Sequence, residues 1–335
     1  MPARNKRVTI KDVAEATGLS AAAVSYALRG MHVSGETEQR VRQVASDLGY
    51  EANPIARALA GGKTGLVGVL LGSLDDLWQQ QFAAGMGRGL LALQRYALIV
   101  EAGSDPAREL AVARQLRDQG VDGLIVSPVD PSAQGWADLA ETVPVISIGD
   151  SLAAARTAGE VVFDNRAGVT LALEHLHGLG HQRITVLTPT RASTPDRPAD
   201  VHVSAEAARL GLTVAVVPSG HRLPEATATA RRVLRQRPSP TALFCFADSI
   251  AHGAYSAAAA LNLRIPEDVS VAGYDNHPVS GLLTPGLTTV DWDIDSIIRA
   301  GVRMVVAAIE GHPRRQRVIR PPRLCERGST AAPID

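Results

Sequence analysis

The chain has 335 residues, 45% of them hydrophobic, and its 34 basic side chains balance 34 acidic ones to a formal net charge of zero. That length exceeds what one core usually organises, so a small domain beside a larger, two-lobed one is the expected plan. Neutrality argues against a generic polyanion binder. No apolar run approaches the ~18 to 20 residues of a membrane span, and the basic first eleven residues have no apolar stretch behind them to serve as a secretory leader, so a cytoplasmic protein is expected.

The N-terminal region is the most basic part. Residues 1–63 carry nine Lys/Arg against six Asp/Glu, an excess of three. Thr9 followed by Asp12 has the form of a capping box, and Ile10, Val13 and Ala14 make a one-sided stripe that ends at Gly18, where a positive φ lets the chain leave the helix. Ser20 caps a second helix with Val24, Ala27 and Leu28 inward and Ala21, Ala22, Ser25 and Tyr26 outward. Ser34 then caps a third, with Val41, Val44, Ala45 and Leu48 inward and Gly49 closing it. Two short helices about a glycine turn, braced by a third, read as a helix-turn-helix unit whose second helix fits a major groove. A small three-helix bundle without DNA would show the same pattern.

The order TIKDVAEATGLS, VS at 24–25 and LGYEANPIARALAGGKTGLVG closely resembles the headpiece and hinge of the lac repressor (LacI) family. The resemblance implies an all-α DNA-binding headpiece over 1–52, with Thr9, Ser20, Ala21, Ala22, Ser25 and Tyr26 at the DNA. It also implies a hinge helix and linker over 53–64, placing Asn53, Ala56, Arg57 and Leu59 in the minor groove. Leu59 would wedge into the central base step, where unstacking is offset by contacts with the bent duplex. Ala21 and Ala22 stand where larger polar side chains often read bases, which leaves methyl contacts there and shifts readout to Ser25 and Tyr26.

From residue 66 short apolar strands alternate with amphipathic helices. Strands are expected over 66–71, 97–100, 123–127, 145–148, 184–187, 214–217, 243–246 and 269–272, and helices over 82–93, 109–119, 167–179 and 250–261. That rhythm means parallel sheets, with ligands held where the carboxyl ends of strands meet. The resemblance continues through VDGLIVSP at 121–128, VVFDNRAG at 161–168, IPEDVSVAGYDNH at 265–277 and RGST at 327–330. It implies a two-lobed α/β body like a periplasmic binding protein over 65–335. Lobe 1 is expected over 65–162 and 290–320, and lobe 2 over 163–289 and 321–335, with chain crossings near Val162, Thr289 and Arg320. An effector would sit between the lobes, with Arg197, Asp248 and Asp275 as polar contacts and Trp78, Phe82 and Trp292 as a stacking face. Ala247 stands where a ligand-binding asparagine is frequent, and the proline-rich stretch 189–203 departs from the family spacing around Arg197.

Other motifs carry less. Residues 149–152 spell the GDSL of some serine esterases, but none of Asp291, Asp293 or Asp295 has a His three residues on, so Ser151 reads as part of a strand-end turn. No phosphate loop, dinucleotide fingerprint or metal spacing is present; His175 and His177 read as helix residues, His181 as a loop residue, and no cofactor is expected. Asp164 reads as a helix cap and 314–323 as a surface strand. Cys245 and Cys325, far apart and outside any CxxC, read as free buried thiols. The chain ends five residues after RGST, which leaves no heptad segment. The reading is a homodimeric repressor of double-stranded operator DNA, switched by a small polar metabolite: a sugar, or alternatively a nucleoside or purine corepressor. The competing reading is a metabolite-binding protein or enzyme on the same body.

Overall fold

A computed structural model describes residues 8–28, 30–31, 33–50, 63–103, 105–189, 198–312 and 316–334. The chain forms two compact units, residues 1–64 and 65–335.

The first unit holds α1 (Ile10–Thr17), α2 (Ala21–Leu28) and α3 (Gly35–Asp47). Asp12 accepts from both the backbone N–H and the hydroxyl of Thr9, each at 2.7 Å, and Gly18 leaves α1 at φ 67°. Ser34 accepts from Thr37 N at the start of α3. Val13, Ala14, Val24, Ala27, Val41 and Ala45 form the core. Leu48, expected inside, is 39% exposed: α3 stops at Asp47, Gly49 turns the chain at φ 66°, and Tyr50 packs on the cluster instead.

The second unit has two six-stranded sheets. The first runs in the order β11-β5-β4-β3-β1-β2, made from Leu66–Leu71 (β1), Tyr96–Glu101 (β2), Gly123–Val126 (β3), Val145–Gly149 (β4), Gly159–Phe163 (β5) and Gln316–Arg320 (β11). All its pairings are parallel. The second runs β12-β10-β9-β8-β6-β7, made from Arg183–Pro189 (β6), Thr213–Ser219 (β7), Ala242–Cys245 (β8), Ser270–Tyr274 (β9), Thr288–Asp291 (β10) and Arg323–Cys325 (β12), with only β10 and β12 antiparallel. The chain therefore passes between lobes after β5, after β10 and after β11. Between the strands lie α4 (Leu77–Leu91), α5 (Pro106–Asp118), α6 (Gly135–Thr142), α7 (Asn165–Gly178), α8 (Pro198–Leu210), α9 (Leu223–Leu234), α10 (Asp248–Ala260) and α11 (Ile294–Ile309).

Strand periodicity explains the cores. In β1, Val67, Val69 and Leu71 enter one apolar cluster while Leu70 enters another on the opposite face, as alternation at period 2 requires of a sheet covered on both sides. Lobe 2 repeats this, with Phe244 on one face of β8 and Leu243 and Cys245 on the other. The cluster that takes one face of each sheet is continuous across both lobes, so the lobes share a core as well as three crossings. Sequence periodicity did not mark β5, β10 or β12. Their inward positions include Glu160, held by the nearby Ser151 and Thr157, and Thr288 and Thr289, buried polar residues whose partners are remote in sequence.

Candidate functional site

On the headpiece, Thr9 and Ser20 sit at the starts of α1 and α2, and Ala21, Ala22, Ser25 and Tyr26 on α2. Tyr26 is exposed, while Ala21 packs partly against the core. Ser20 Oγ accepts from Ala23 N at 3.2 Å, which fixes the first turn of α2. Asn53, Ala56, Arg57 and Leu59 lie outside the described residues.

In the body the strand ends of the two lobes meet. Asp76, after β1, caps α4 by accepting from Trp78 N at 3.0 Å, and accepts from Gln79 Nε2 at 3.2 Å; Gln79 in turn accepts from Ser73 N. Across the cleft, His221 follows β7. Its Nδ1 lies 4.0 Å from Asp76 Oδ1 and 3.1 Å from Ser249 Oγ. His221 Nε2 and, on the facing lobe, Trp78 Nε1 are buried with no hydrogen-bond partner among the described residues. Buried polar atoms are nearly always satisfied, so such atoms at a cleft are candidate ligand contacts.

Asp275 directly follows β9 with φ 127°, and Asn276 comes next at φ 52°. Burial pushes the Asp275 carboxyl well above the usual carboxylate range, and the like charges of Asp76 and Asp248 push the same way. Asp248 begins α10, fully buried. Its carboxylate accepts from His277 N at 2.8 Å, Ser280 Oγ at 2.6 Å and Thr289 Oγ1 at 2.6 Å. Arg197 lies outside the described residues.

An aromatic string joins the lobes. Trp78 stacks on Phe82 at 5.2 Å and meets Phe163 edge-on at 5.5 Å; Phe163 stacks on Trp292 at 5.1 Å, and Trp292 meets Tyr274 at 5.4 Å. Phe82 and Trp292 are buried against these neighbours, and Trp78 is buried on lobe 1 beside its cap Asp76. Sequence reasoning missed Asp76, Gln79, Phe163, His221 and Ser249: each sits in an unremarkable local context, and only the strand order brings them together.

Residues elsewhere have structural work. Ser151 Oγ donates to Glu160 Oε2 at 2.9 Å, Asp164 caps α7 by accepting from Ala167 N, and β11 forms an exposed sheet edge. Cys245 is buried and Cys325 half-buried, both free. His181 lies in the loop after Gly180, as expected, and is buried there: its Nδ1 meets Thr241 Oγ1 at 2.9 Å, and its Nε2 meets Ser270 Oγ at 3.0 Å and Ala331 O at 2.9 Å.

Residues 9–53 match the model of bacterial regulatory proteins, lacI family, and residues 173–330 that of a periplasmic binding protein-like domain. The HTH-type transcriptional regulator MalR of Streptomyces coelicolor is 31% identical over 340 residues, covering 96% of each chain. The chain belongs to the lacI family of bacterial regulatory proteins. The ribose operon repressor of Haemophilus influenzae is 28% identical over 286 residues, covering 84% of this chain and 86% of its own. The structure of the lac repressor dimer bound to operator and the anti-inducer ONPF superposes with a TM-score of 0.85 at 26% identity, covering 98% of this chain and 100% of that one. This lacI-family member is thus a DNA-binding regulator and not an enzyme. No helix among its described residues is long and apolar enough to cross a membrane.

Proposed function

We propose that this lacI-family regulator is a cytoplasmic repressor. It binds a pseudo-palindromic operator as a homodimer, one headpiece per half-site, and releases or tightens that grip when a small polar metabolite fills the cleft. The observation that carries the ligand-responsive part is the pair of unpartnered buried nitrogens, Trp78 Nε1 and His221 Nε2, on opposite lobes beside Asp76 and Asp275. An acceptor-bearing, hydroxyl-rich ligand satisfies both and draws the lobes together, and only contacts that differ between two lobe arrangements can switch a regulator. Arg197 and Asp275 are the proposed polar contacts, Trp78 the stacking face, and Phe82 and Trp292 its backing. A sugar is the preferred effector, with D-ribose first because a relative is a ribose operon repressor; a nucleoside or purine is the alternative. Leu59 is the proposed minor-groove wedge, with Asn53, Ala56 and Arg57 beside it and Thr9, Ser20, Ala21, Ala22, Ser25 and Tyr26 at the major groove.

The test is a footprint on the DNA upstream of the protein's own gene, with and without each member of a sugar and nucleoside panel. A protected palindrome whose protection changes with one of them supports the reading. Unprotected DNA overturns it. In the same assay Leu59→Ala is expected to weaken specific binding by ~1 to 3 kcal/mol.

A further inference from the structure

Asp248 shares the cleft with Asp275, yet its carboxylate has no room for a ligand. A carboxylate offers about four lone-pair sites, and three are taken by His277 N, Ser280 Oγ and Thr289 Oγ1. Gly273 covers the remaining side: a Cβ there would collide with Asp248 Oδ1 and lie 3.1 Å from Thr289 Oγ1. The residue is wholly buried.

What these bonds hold is the segment carrying Asp275. Two consecutive non-glycine residues, Asp275 and Asn276, have positive φ of 127° and 52°, conformations that persist only when the surroundings over-determine them. Asp248 supplies that constraint from both sides. It accepts from the next backbone amide, His277 N, and from Ser280, and through Oδ1 it orients the Thr289 hydroxyl, which accepts from Asn276 N at 3.3 Å. Arg327 completes the frame, donating to Asn276 Oδ1 at 2.7 Å and to Leu287 O at 2.6 Å. Ser280 also meets His252 Nε2 at 3.1 Å, so the network runs from the cleft into α10.

We propose that Asp248 is the positioning residue of the effector cleft: it touches no effector and acts by holding residues 275–280 so that Asp275 is presented to the ligand. This rests on the cleft reading above and assigns the two acids different tasks. It makes a distinction that charge alone would not. An asparagine at 248 can keep its oxygen toward His277 N and Ser280 and turn its amide to Thr289 Oγ1, so it preserves the frame while removing the charge; alanine removes both.

The experiment uses the full chain and the variants Asp248→Asn, Asp248→Ala, Asp275→Asn and Thr289→Val. Hydrogen exchange is followed over residues 275–282, and D-ribose and maltose are titrated by calorimetry. Asp248→Ala is expected to speed exchange of this segment by on the order of tenfold or more, since several buried bonds are lost together. Asp248→Asn is expected to stay within about threefold of the parent in both exchange and sugar affinity, a difference below the worth of one buried hydrogen bond. Asp275→Asn is expected to lose sugar affinity with exchange unchanged. Should Asp248→Ala fail to fold, Thr289→Val cuts the same frame at its other end and is expected to speed exchange at Asn276. The proposal is overturned if Asp248→Asn exchanges as fast as Asp248→Ala, if neither Asp248→Ala nor Thr289→Val changes exchange, or if Asp248→Asn abolishes sugar binding with the segment still protected. A chain that binds neither sugar leaves the exchange comparison to decide. Loss of operator protection in a separate footprint counts against the repressor reading and not against the role of Asp248.

Discussion

The two lobes share a six-stranded plan but bury polar groups differently. Lobe 1 holds Glu109 fully buried on α5, one oxygen accepting from Val129 N at 2.8 Å and the other, Oε2, without a partner among the described residues. Burial raises its carboxyl to about 7. Lobe 2 buries more polar side chains and ties them together: Asp248 to three donors, His181 to Thr241, Ser270 and Ala331, and Ser329 to Val271 and Thr288. A satisfied buried network rigidifies what it touches, whereas a half-satisfied group is a stored liability. Glu109 and the Asp248 network should therefore respond oppositely to substitution, and Glu109 and the lobe 2 histidines oppositely to pH.

The largest effect is expected from Asp248→Ala in lobe 2. It removes the acceptor of the Ser280 and Thr289 hydroxyls and of His277 N–H, and should lower stability by roughly 3 to 5 kcal/mol in urea unfolding, given ~1 to 3 kcal/mol for each buried donor left without its acceptor and incomplete additivity. A loss below ~1 kcal/mol would mean that the network is slack and the contrast between lobes false.

Glu109→Gln should do the reverse in lobe 1. A group whose folded pKa lies above its unfolded value contributes stability that is full below the unfolded value and is lost as pH rises through the folded one. Glu109 goes from 4.5 to about 7, so by pH 8 the parent has lost up to about 3 kcal/mol relative to acid. The glutamine keeps the bond to Val129 N without the charge. It should stabilise the protein by ~1 to 3 kcal/mol at pH 8 and by little at pH 5. Equal effects at both pH values would sink the assignment.

Acidification tests lobe 2 in the opposite direction. Burial is the leading cause that lowers the pKa of His175, His181, His252 and His277. Their contribution is full above the unfolded value of 6.5 and falls as pH drops below it toward the folded values. Each group that must charge on unfolding adds up to about 1.4 kcal/mol per pH unit. His181→Gln should flatten the decline between pH 6.5 and 5 in thermal unfolding while leaving exchange of lobe 1 amides unchanged. An unchanged or steeper decline would show that His181 does not take up a proton on unfolding. Smallest of all, Ser34→Ala removes the cap of α3 and should cost about 1 kcal/mol. It should be visible as faster exchange over 35–47 with both lobes silent, because the headpiece is a separate compact unit.

Much of this architecture was legible in the chain. The three headpiece helices follow from Thr9, Gly18, Ser34 and Gly49, which start or stop helices by satisfying end groups or by adopting positive φ, and these are neighbours in sequence. Eight body strands announced themselves as short apolar runs: six lie inside the sheets, where parallel strands are buried on both faces, and the edge strands β2 and β7 are apolar although partly exposed. Leu48 was misread because helical period alone does not say where α3 stops, and β10 was missed because its buried threonines look like a polar loop until their partners are known.

Residue order determined the division into headpiece and body, the helix ends, the apolar strands and the family, since each depends on side chains a few positions apart or on motif order along the chain. Tertiary structure alone decided the cleft. His181 meets a residue 150 positions away and Asp248 one 41 away, while Asp76 and His221 come together only because β1 and β7 end on facing lobes. Burial decided the rest: it made Glu109 a near-neutral acid and closed Gly273 over Asp248. No local pattern encodes such pairings, because hydrogen bonding and desolvation depend on where the sheet order brings the chain, not on what precedes or follows a residue.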